Sequence, residues 1–180
     1  MTPVRRFGKL LVLGNIASGK SGLVRAVAGK TGWPAAGIDD ARRQFGDGSA
    51  AGEARAWAHF LARAEERRPA VLECTGGGPF THLLRHSLRR SGVPWAVLLV
   101  QTPARECLRR ALVRGLDVPY PDFGVPLEEV VMHVERELNR TVGTAWPAPL
   151  CVVDGQSDPA LSTARAVAEL HNWLARETIP

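Results

Sequence analysis

The stretch LGNIASGKSG at residues 13–22 has the residue types and the spacing most typical of a chemical site. Gly14, Gly19, Lys20 and Ser21 spell G-x-x-x-x-G-K-S between a short apolar run and an amphipathic stretch. Such glycines let backbone amides face phosphate oxygens, and the lysine contacts the terminal phosphates while the serine hydroxyl binds magnesium. We therefore predict a nucleoside triphosphate site formed by Gly14, Asn15, Ile16, Ala17, Ser18, Gly19, Lys20, Ser21 and Gly22.

A second polar group, GIDDARRQFG at residues 37–46, follows the second predicted strand. Ligands of open parallel sheets bind beyond the carboxyl ends of the strands, which places Asp39 and Asp40 near the phosphate loop. A carboxylate there could accept the proton of an attacking hydroxyl, and Arg42 or Arg43 could clamp an anionic group of the acceptor. The alternative is that one aspartate only caps a short helix and that the arginines are solvated.

A third group, TPARECLRRALVRG at residues 102–115, predicts a helix that is capped by Thr102 and rich in arginine. Its arginines form two stripes of residues four apart, Arg105 with Arg109 and Arg110 with Arg114. An arginine that a lid brings in can neutralise the charge that develops in phosphoryl transfer, although a solvated face is expected for at least two of the four. The following residues, 115–126, contain prolines and glycines that predict a loop or lid.

Short apolar runs alternate with helical patterns along the chain, which predicts one α/β domain over residues 1–180 with a parallel sheet covered on both faces. The predicted strands are Lys9–Leu13, Pro34–Ile38, Ala70–Cys74, Trp95–Gln101 and Leu150–Val153. The predicted helices are Gly19–Ala28, Gly52–Arg67, Phe80–Arg90, Pro103–Arg114, Pro126–Asn139 and Pro159–Arg176.

Composition limits the compartment and the class of protein. The net charge of +5 permits binding to polyanions without requiring it. Cys74, Cys107 and Cys151 lack the spacing of metal ligands and are expected to be buried thiols in a reducing compartment. Arg5 and Arg6 precede an apolar run that is too short for a signal peptide, and no segment approaches the roughly 18 apolar residues of a membrane span. We expect a cytoplasmic protein without membrane contact.

The three groups of polar residues resemble the motifs of small P-loop kinases of the polynucleotide 5′-kinase and zeta-toxin-like type, whose fold is close to that of adenylate and shikimate kinases. In the phage-type polynucleotide kinase the P-loop is followed by D-D-x-R, and then by R-x-x-x-R-G on the helix that enters the lid. The corresponding residues here are Gly14 to Ser21, Asp39-Asp40-Ala41-Arg42, and Arg110 to Gly115. The similarity extends to about Leu138.

This resemblance implies an adenylate-kinase-like sheet with strand order 2-3-1-4-5, and ATP and Mg²⁺ as ligands. It implies Asp39 as general base, Arg42 as a contact to the acceptor's phosphate or to the transferred group, and Arg114, with or without Arg110, as the lid arginine. Lys20 completes the expected catalytic residues, and Arg110 and Arg114 the expected nucleotide contacts. The implied acceptor is the 5′-hydroxyl of a nucleic acid.

The chain departs from that pattern in LECTGGG, residues 72–78, where related kinases often have D-x-T. Cys74 occupies the place of the aspartate, and Glu73, one residue earlier on a strand, is expected to point to the opposite face. Glu73 therefore either helps to hold magnesium through water or has a structural role. Gly76–Gly78 allow a ligand to approach closely or form a flexible turn.

Two further groups of residues have a functional and a structural interpretation. Residues 154–156, after the fifth predicted strand, either contact the adenine or form a plain turn. Aromatic and histidine side chains of the second and third predicted helices could line an acceptor pocket or belong to the core and surface. These are Trp57, His59, Phe60, His82 and His86.

Together these residues predict transfer of the γ-phosphoryl group of ATP to a hydroxyl acceptor, a polynucleotide 5′ end by resemblance. A small molecule such as a nucleoside, a sugar or an antibiotic is the alternative acceptor. A regulatory ATPase, in which nucleotide drives only a conformational change, is the alternative function. A basic groove leading to Asp39 would favour nucleic acid, and an enclosed apolar pocket would favour a small molecule.

Overall fold

A computed structural model describes residues 8–115, 117–122 and 124–176 of the 180-residue chain. Its strands are β1 Lys9–Gly14, β2 Ala35–Gly37, β3 Ala70–Cys74, β4 Trp95–Gln101 and β5 Val152–Asp154. Its helices are α1 Lys20–Thr31, α2 Ile38–Phe45, α3 Ala50–Glu65, α4 Thr81–Arg90, α5 Ala104–Arg114, α6 Leu127–Thr141 and α7 Pro159–Arg176. Arg5 and Arg6, Leu116 and Phe123 lie outside the described residues.

The strands form one parallel sheet in the order β2-β3-β1-β4-β5, which confirms the predicted fold class and strand order. Val12 of β1 is aligned with Glu73 of β3, and Glu73 is aligned with Gly37 of β2. The carboxyl ends of these three strands are therefore level with one another. This register brings the residues that follow β1 and β2 to the same edge of the sheet.

Helices cover both faces of the sheet, as the alternating apolar runs predicted. Leu10 and Val12 of β1 pack on the side of α1 and α7. Leu11 and Leu13 point the other way, because successive side chains of a strand alternate, and pack with α3 and α4. A smaller apolar cluster joins Ile16, in the loop after β1, to α5 and α6. The phosphate loop is thus attached to the helices on either side of the predicted lid.

The second predicted strand was too long, and the helix after it was missed as an element. β2 ends at Gly37, and Ile38 begins α2. Asp39 and Asp40 occupy the first turn, where carboxylates interact favourably with the helix dipole. α2 is only 8 residues long and buries Ile38 and Arg42. Because Arg42 occupies a buried position, the sequence lacks the apolar periodicity that would have indicated a helix.

Other boundaries moved by a few residues. α1 continues to Thr31 and ends at Gly32, whose φ of 71° is the left-handed conformation that glycine adopts at helix ends. α3 begins at Ala50 because the Ser49 side chain accepts a hydrogen bond from the Gly52 amide. The prediction that Thr102 caps α5 was wrong, because Pro103 precedes this helix without a side-chain cap. The Thr102 hydroxyl instead donates to the Ser18 carbonyl, 2.9 Å away in the phosphate loop.

Cys74, Cys107 and Cys151 are buried free thiols, as predicted. Within the described ranges, no group of three or more histidine, cysteine or acidic side chains could hold a metal ion. None of the helices in those ranges is both long and apolar enough to span a bilayer.

Lys9, the first residue of β1, is fully buried. Its Nζ donates to the Ala64 carbonyl at the end of α3. Burial disfavours the charged ammonium and lowers the pKa of Lys9 to about 8, although Glu66 partly opposes this shift. The folded chain therefore releases the Lys9 proton at a lower pH than the unfolded chain does.

We expect Lys9 to make the free energy of unfolding increase with pH. Between pH 8 and 10.5, the unfolded chain keeps a proton on Lys9 that the folded chain has lost, so raising the pH favours the folded state. Below pH 8 both states hold this proton, and the cost of burying the charge is constant. The difference in unfolding free energy between wild type and Lys9→Met should rise by about 2 kcal/mol over this interval in urea titrations. Lys30→Met, at an exposed lysine on α1, should leave the profile unchanged. A pH-independent difference for Lys9→Met would contradict this account.

Candidate nucleotide and acceptor site

The loop between β1 and α1 has the backbone of an anion site. An added Cβ at Gly14 would lie 2.6 Å from the Val100 carbonyl oxygen, so the close contact with β4 requires glycine. Gly19 precedes α1 with a φ of 101°, and no side chain caps this helix. Ala17 has a φ of 55°, a conformation that costs energy for a residue with a side chain. The amides of the first turn of α1 therefore have no capping side chain and are available to an anionic ligand.

Lys20 and Asn15 hold this loop together. Lys20 is buried, and its Nζ donates to the Asn15 carbonyl oxygen at 2.6 Å. The Asn15 side chain donates to the Val131 carbonyl on α6 at 2.9 Å and accepts from the Ile16 amide at 2.8 Å. The predicted phosphate-binding lysine thus lies folded against the loop, which Asn15 attaches to α6.

The loop after β5 packs against the phosphate loop. The backbone of Gly155 approaches Ser18 so closely that an added Cβ would collide with the Ser18 carbonyl oxygen. Arg110 donates to the Gly155 carbonyl at 3.1 Å and lies near Gly19. Arg110, a predicted nucleotide contact, is therefore next to the phosphate loop. Residues 154–156, for which the sequence left open an adenine contact or a plain turn, lie there too and form a turn in which the Gln156 amide donates to the Asp154 side chain. The buried Ser18 hydroxyl oxygen finds no hydrogen-bond partner among the described residues.

Glu73 lies at the centre of the site, where sequence reasoning left its role open. Its Oε1 accepts a hydrogen bond from the Ser21 hydroxyl at 2.9 Å. Glu73 and Cys74 point to opposite faces of the sheet, as strand alternation predicted. The face that Glu73 shares with Val71 is the one on which α1 packs. The carboxylate consequently meets the phosphate-loop helix from the neighbouring strand.

Burial raises the pKa of Glu73, and the Lys20 charge and the Ser21 hydrogen bond oppose this shift. Asp39 acts on the same carboxylate from the β2 side. The Glu73 side chain passes directly over Gly37, because an added Cβ there would lie 2.7 Å from the Glu73 Cγ. Glu73 thus connects the two halves of the site, and Gly37 makes room for it.

Ser21 and Glu73 fit a magnesium site. Mg²⁺ in phosphate-transfer proteins uses one or two protein oxygens together with phosphate oxygens and water. The Ser21 hydroxyl and the Glu73 carboxylate supply hard oxygens of this kind. The second carboxylate oxygen, Oε2, is buried and lacks a hydrogen-bond partner in the part of the chain described. A cation with its bound waters would satisfy this oxygen.

Asp39 and Asp40 differ sharply in their surroundings. The Asp39 Oδ1 accepts from Arg42 at 2.8 Å, and its Oδ2 accepts from the Tyr120 hydroxyl at 3.0 Å. The Asp40 side chain is 75% exposed and pairs with Arg43. Burial, together with the charge of Asp39, raises the pKa of Tyr120, so its hydroxyl keeps its proton and remains a donor. Asp39 is therefore the aspartate that is oriented by fixed partners.

Arg42 is held by two carboxylates. Besides Asp39, it forms two hydrogen bonds with Glu53 of α3, at 2.8 and 2.5 Å. Its guanidinium also lies 4.8 Å from the centre of the Tyr120 ring. Although burial alone would lower the pKa of Arg42, these carboxylates outweigh it and raise the pKa. The alternative of a solvated arginine applies to Arg43, which is half-exposed, and not to the buried Arg42.

The arginines of α5 do not divide into the two predicted stripes, although the expected solvated face is present, because Arg105, Arg109 and Arg114 are all exposed. Arg109 and Arg110 both bond to Glu106, and these hydrogen bonds lower the pKa of Glu106 to about 2. Arg105 and Arg114 are exposed. Arg114 ends α5 immediately before the predicted lid, where its charge acts on Tyr120. Whether this segment moves, and whether Arg114 then enters the site, stay predictions.

A cavity of about 930 Å³ opens beside these residues. Ile16 of the phosphate loop, Arg42, Trp57 and Tyr120 belong to its walls, together with residues of α6 and of the loop after β3. Phe60 is in the core, and His59 stacks on Phe45 outside this cavity. The cavity also does not include His82 and His86, which line a separate surface depression.

Sequence reasoning missed Glu53, Phe80 and Tyr120 as parts of the site. Glu53 and Trp57 are one helical turn apart, and the Trp57 indole donates to the Glu53 carboxylate at 2.8 Å. That spacing could have indicated their contact. No local pattern links Tyr120 to Asp39, which lies 81 positions earlier in the chain.

No protein-family model matches the chain, and no curated protein matches its sequence. Solved structures do match its fold. A gluconokinase from Sinorhizobium meliloti superposes with a TM-score of 0.64 at 20% identity, with 96% of each chain covered. Shikimate kinase from Acinetobacter baumannii, in complex with shikimate, gives 0.65 at 15% identity and the same coverage. APS kinase from Mycobacterium tuberculosis, in complex with AMPPNP and APS, gives 0.60 at 17% identity, covering 92% of this chain and 98% of that one.

The chain has the fold of the small P-loop kinases. This confirms the expected class of fold. The polynucleotide-kinase subtype is not confirmed, because the compared structures are kinases of other acceptors.

We expect Glu73→Gln to raise the magnesium concentration that nucleotide binding requires. The amide can still accept from Ser21, but it removes the negative charge near the cation. The magnesium concentration for half-maximal binding of a fluorescent ATP analogue should rise about tenfold, the usual size of such an effect on metal affinity. Binding in EDTA should be unchanged. Glu137→Gln, a carboxylate on the cavity wall that pairs with Arg140, is the control and should need as much magnesium as wild type. Equal magnesium requirements in both variants would contradict the assignment.

Proposed function

We propose that this chain is an ATP-dependent kinase that transfers the γ-phosphoryl group to a hydroxyl of a small molecule. The observation that carries the proposal is the junction at Glu73, whose carboxylate contacts Ser21 and interacts electrostatically with Lys20 and Asp39. This junction brings a phosphate loop and an oriented carboxylate to one edge of the sheet. The fold shared with kinases that act on gluconate, shikimate and APS supports the same reaction class.

The residues of the chain divide the work of the reaction. The phosphate-loop amides and Lys20 bind the phosphates and compensate the charge that develops on their oxygens. Ser21 and Glu73 would hold Mg²⁺, which supplies further charge neutralisation when it is bound. Asp39 orients the acceptor hydroxyl and takes its proton. The new bond joins the acceptor oxygen to the γ-phosphorus, the bond from that phosphorus to the β-phosphate oxygen breaks, and ADP leaves.

Tyr120 occupies the position of an acceptor on this base. Its hydroxyl donates to Asp39 Oδ2, as an acceptor hydroxyl must before it loses its proton. Tyr120 lies in the segment that the sequence predicts to be a lid, so acceptor binding exchanges one hydroxyl for another on the same oxygen. Arg42 acts as a positioning residue in this scheme, because it fixes Asp39 Oδ1.

A small acceptor fits better than a nucleic acid. The cavity beside Asp39 has the volume of a ligand pocket, and apolar and aromatic side chains form much of its wall. The described lining includes Arg42 and Arg136 but also several carboxylates, which is unlike a basic groove for a phosphate backbone. The regulatory ATPase remains the alternative that involves no acceptor. It needs no acceptor pocket, whereas a ligand-sized cavity of about 930 Å³ lies beside Arg42 and Tyr120, the two partners of Asp39.

We expect Asp39→Asn to reduce acceptor-dependent turnover by about a hundredfold or more, because the amide cannot take the proton. ADP release would be measured with and without each compound of a panel of small alcohols and with an oligonucleotide that has a free 5′-hydroxyl. Asp40→Asn, at the exposed neighbouring aspartate, is the matched control and should keep most of its activity. A turnover that no acceptor stimulates and that Asp39→Asn leaves intact would favour the regulatory ATPase. Stimulation by the oligonucleotide alone would restore the polynucleotide assignment.

We expect Lys20→Ala to abolish phosphoryl transfer, because the phosphates lose their only nearby ammonium among the described residues of the loop. The folded state of the variant would be verified by its thermal unfolding, since the buried Lys20 also bonds to Asn15. Full activity of a folded Lys20→Ala variant would refute the assigned nucleotide site.

A further inference from the structure

The walls of the acceptor cavity are suited to a ring. Trp57 of α3 and Phe80, just before α4, stack with their ring centres 5.1 Å apart and their planes at 18°. Both line the cavity, and Val130 and Val134 of α6 add apolar wall. Besides stacking on Phe80, Trp57 is held by a hydrogen bond from its indole to Glu53. A planar or apolar ligand group would bury its surface here without rearrangement of these side chains.

The charges of the same walls are mostly negative. Of the described lining residues, four are acidic and two are arginines, which gives an excess of two negative charges with histidine neutral. The acidic residues are Glu53, Glu128, Glu129 and Glu137. Asp39, which touches the lining residues Arg42 and Tyr120, adds a further carboxylate.

The two arginines offer little to an anion. Arg42 already faces two carboxylates, Glu53 and Asp39, so the three groups together carry a net negative charge. A ligand carboxylate or phosphate would have to displace one of these partners, at the cost of leaving a buried charge unpaired. Arg136 is exposed on α6, where water screens its charge, and the next residue is Glu137.

We propose that the acceptor is a ring-bearing alcohol that is uncharged or cationic. The proposal rests on the proposed kinase function and specifies the substrate class of the same site. The aromatic pair of Trp57 and Phe80 binds the ring, and the acceptor hydroxyl replaces that of Tyr120 on Asp39. Glu128 and Glu129, exposed in the first turn of α6, attract a ligand ammonium group at the rim.

Alcohols that share an aromatic ring and carry a positive, a neutral or a negative group beside the hydroxyl test this directly. The compounds are phenylalaninol, N-acetylphenylalaninol and 3-phenyllactate, with tryptophanol, N-acetyltryptophanol and 3-indolelactate as the two-ring set. Their dissociation constants would be measured by calorimetry on the full chain loaded with magnesium and a non-hydrolysable ATP analogue. The cationic and uncharged alcohols should bind at least about tenfold more tightly than the two lactates. The proposal would be overturned if the two lactates bound as tightly as the cationic and uncharged alcohols or more tightly. It would also be overturned if none of those four alcohols bound.

Charge reversal at the rim separates a specific effect from a general one. The double variant Glu128→Lys/Glu129→Lys should raise the dissociation constants of the two cationic alcohols roughly fivefold, since exposed charges contribute modestly. The dissociation constants of the two uncharged alcohols should not change. Glu169→Lys on α7, which packs on the other face of the sheet, is a control with half of this charge change and should leave the affinity for both kinds of alcohol unchanged. Equal losses for cationic and uncharged alcohols would contradict the role of the rim carboxylates.

The same compounds distinguish this proposal from the function on which it rests. Binding of the uncharged and cationic alcohols without phosphoryl transfer to any of them supports the ligand preference and contradicts the kinase assignment. Phosphoryl transfer confined to anionic alcohols or to an oligonucleotide 5′-hydroxyl supports a kinase and overturns the ligand preference.

Discussion

A buried carboxylate governs the architecture of this site. Glu73 comes from the central part of the sheet, and its burial is tolerable only because Ser21 donates to it and Lys20 lies near it. β2 pairs with β3 so that Gly37 is aligned with Glu73, and the Glu73 side chain leaves no room for a Cβ at Gly37. Glycine at this position therefore lets α2, and with it Asp39, begin directly beside Glu73. The phosphate loop and Asp39 are coupled through this one group.

The sequence predicted the parts of the fold and site that depend on local spacing. Apolar runs such as Lys9–Leu13 and Trp95–Gln101 are continuous because both faces of a parallel strand are buried, and the structure retains them with nearly the same bounds. The G-x-x-x-x-G-K-S spacing located the loop because its geometry depends on a few adjacent residues. α2 was missed because Arg42 fills a buried position that the periodicity expects to be apolar.

Partners that are distant along the chain could not be read from spacing. Thr102 was expected to cap the helix that follows it, but its hydroxyl is used by Ser18 in another loop. Tyr120 reaches Asp39 from the predicted lid, and only the folded chain shows that the two residues meet. Glu73 is the most instructive case. Strand alternation gave its face correctly, but the decisive fact was that α1 packs on that face, which is a property of the tertiary structure.

Arg42 shows how a motif can be present while its chemical setting differs. In the kinases whose motif this sequence resembles, D-D-x-R implies a base and a cation for an anionic group. The corresponding residues here are Asp39 and Arg42. A cationic side chain binds an anionic ligand well only when carboxylates of the protein do not already neutralise its charge. The charge of Arg42 is neutralised by Glu53 as well as by Asp39. Glu53 lies on α3, outside the motif, and its own position is fixed by Trp57. The residue that matches the charge of Arg42 thus comes from the cavity wall outside the motif, so in the proposed reaction the preferred acceptor can change while Lys20 and Asp39 stay the same.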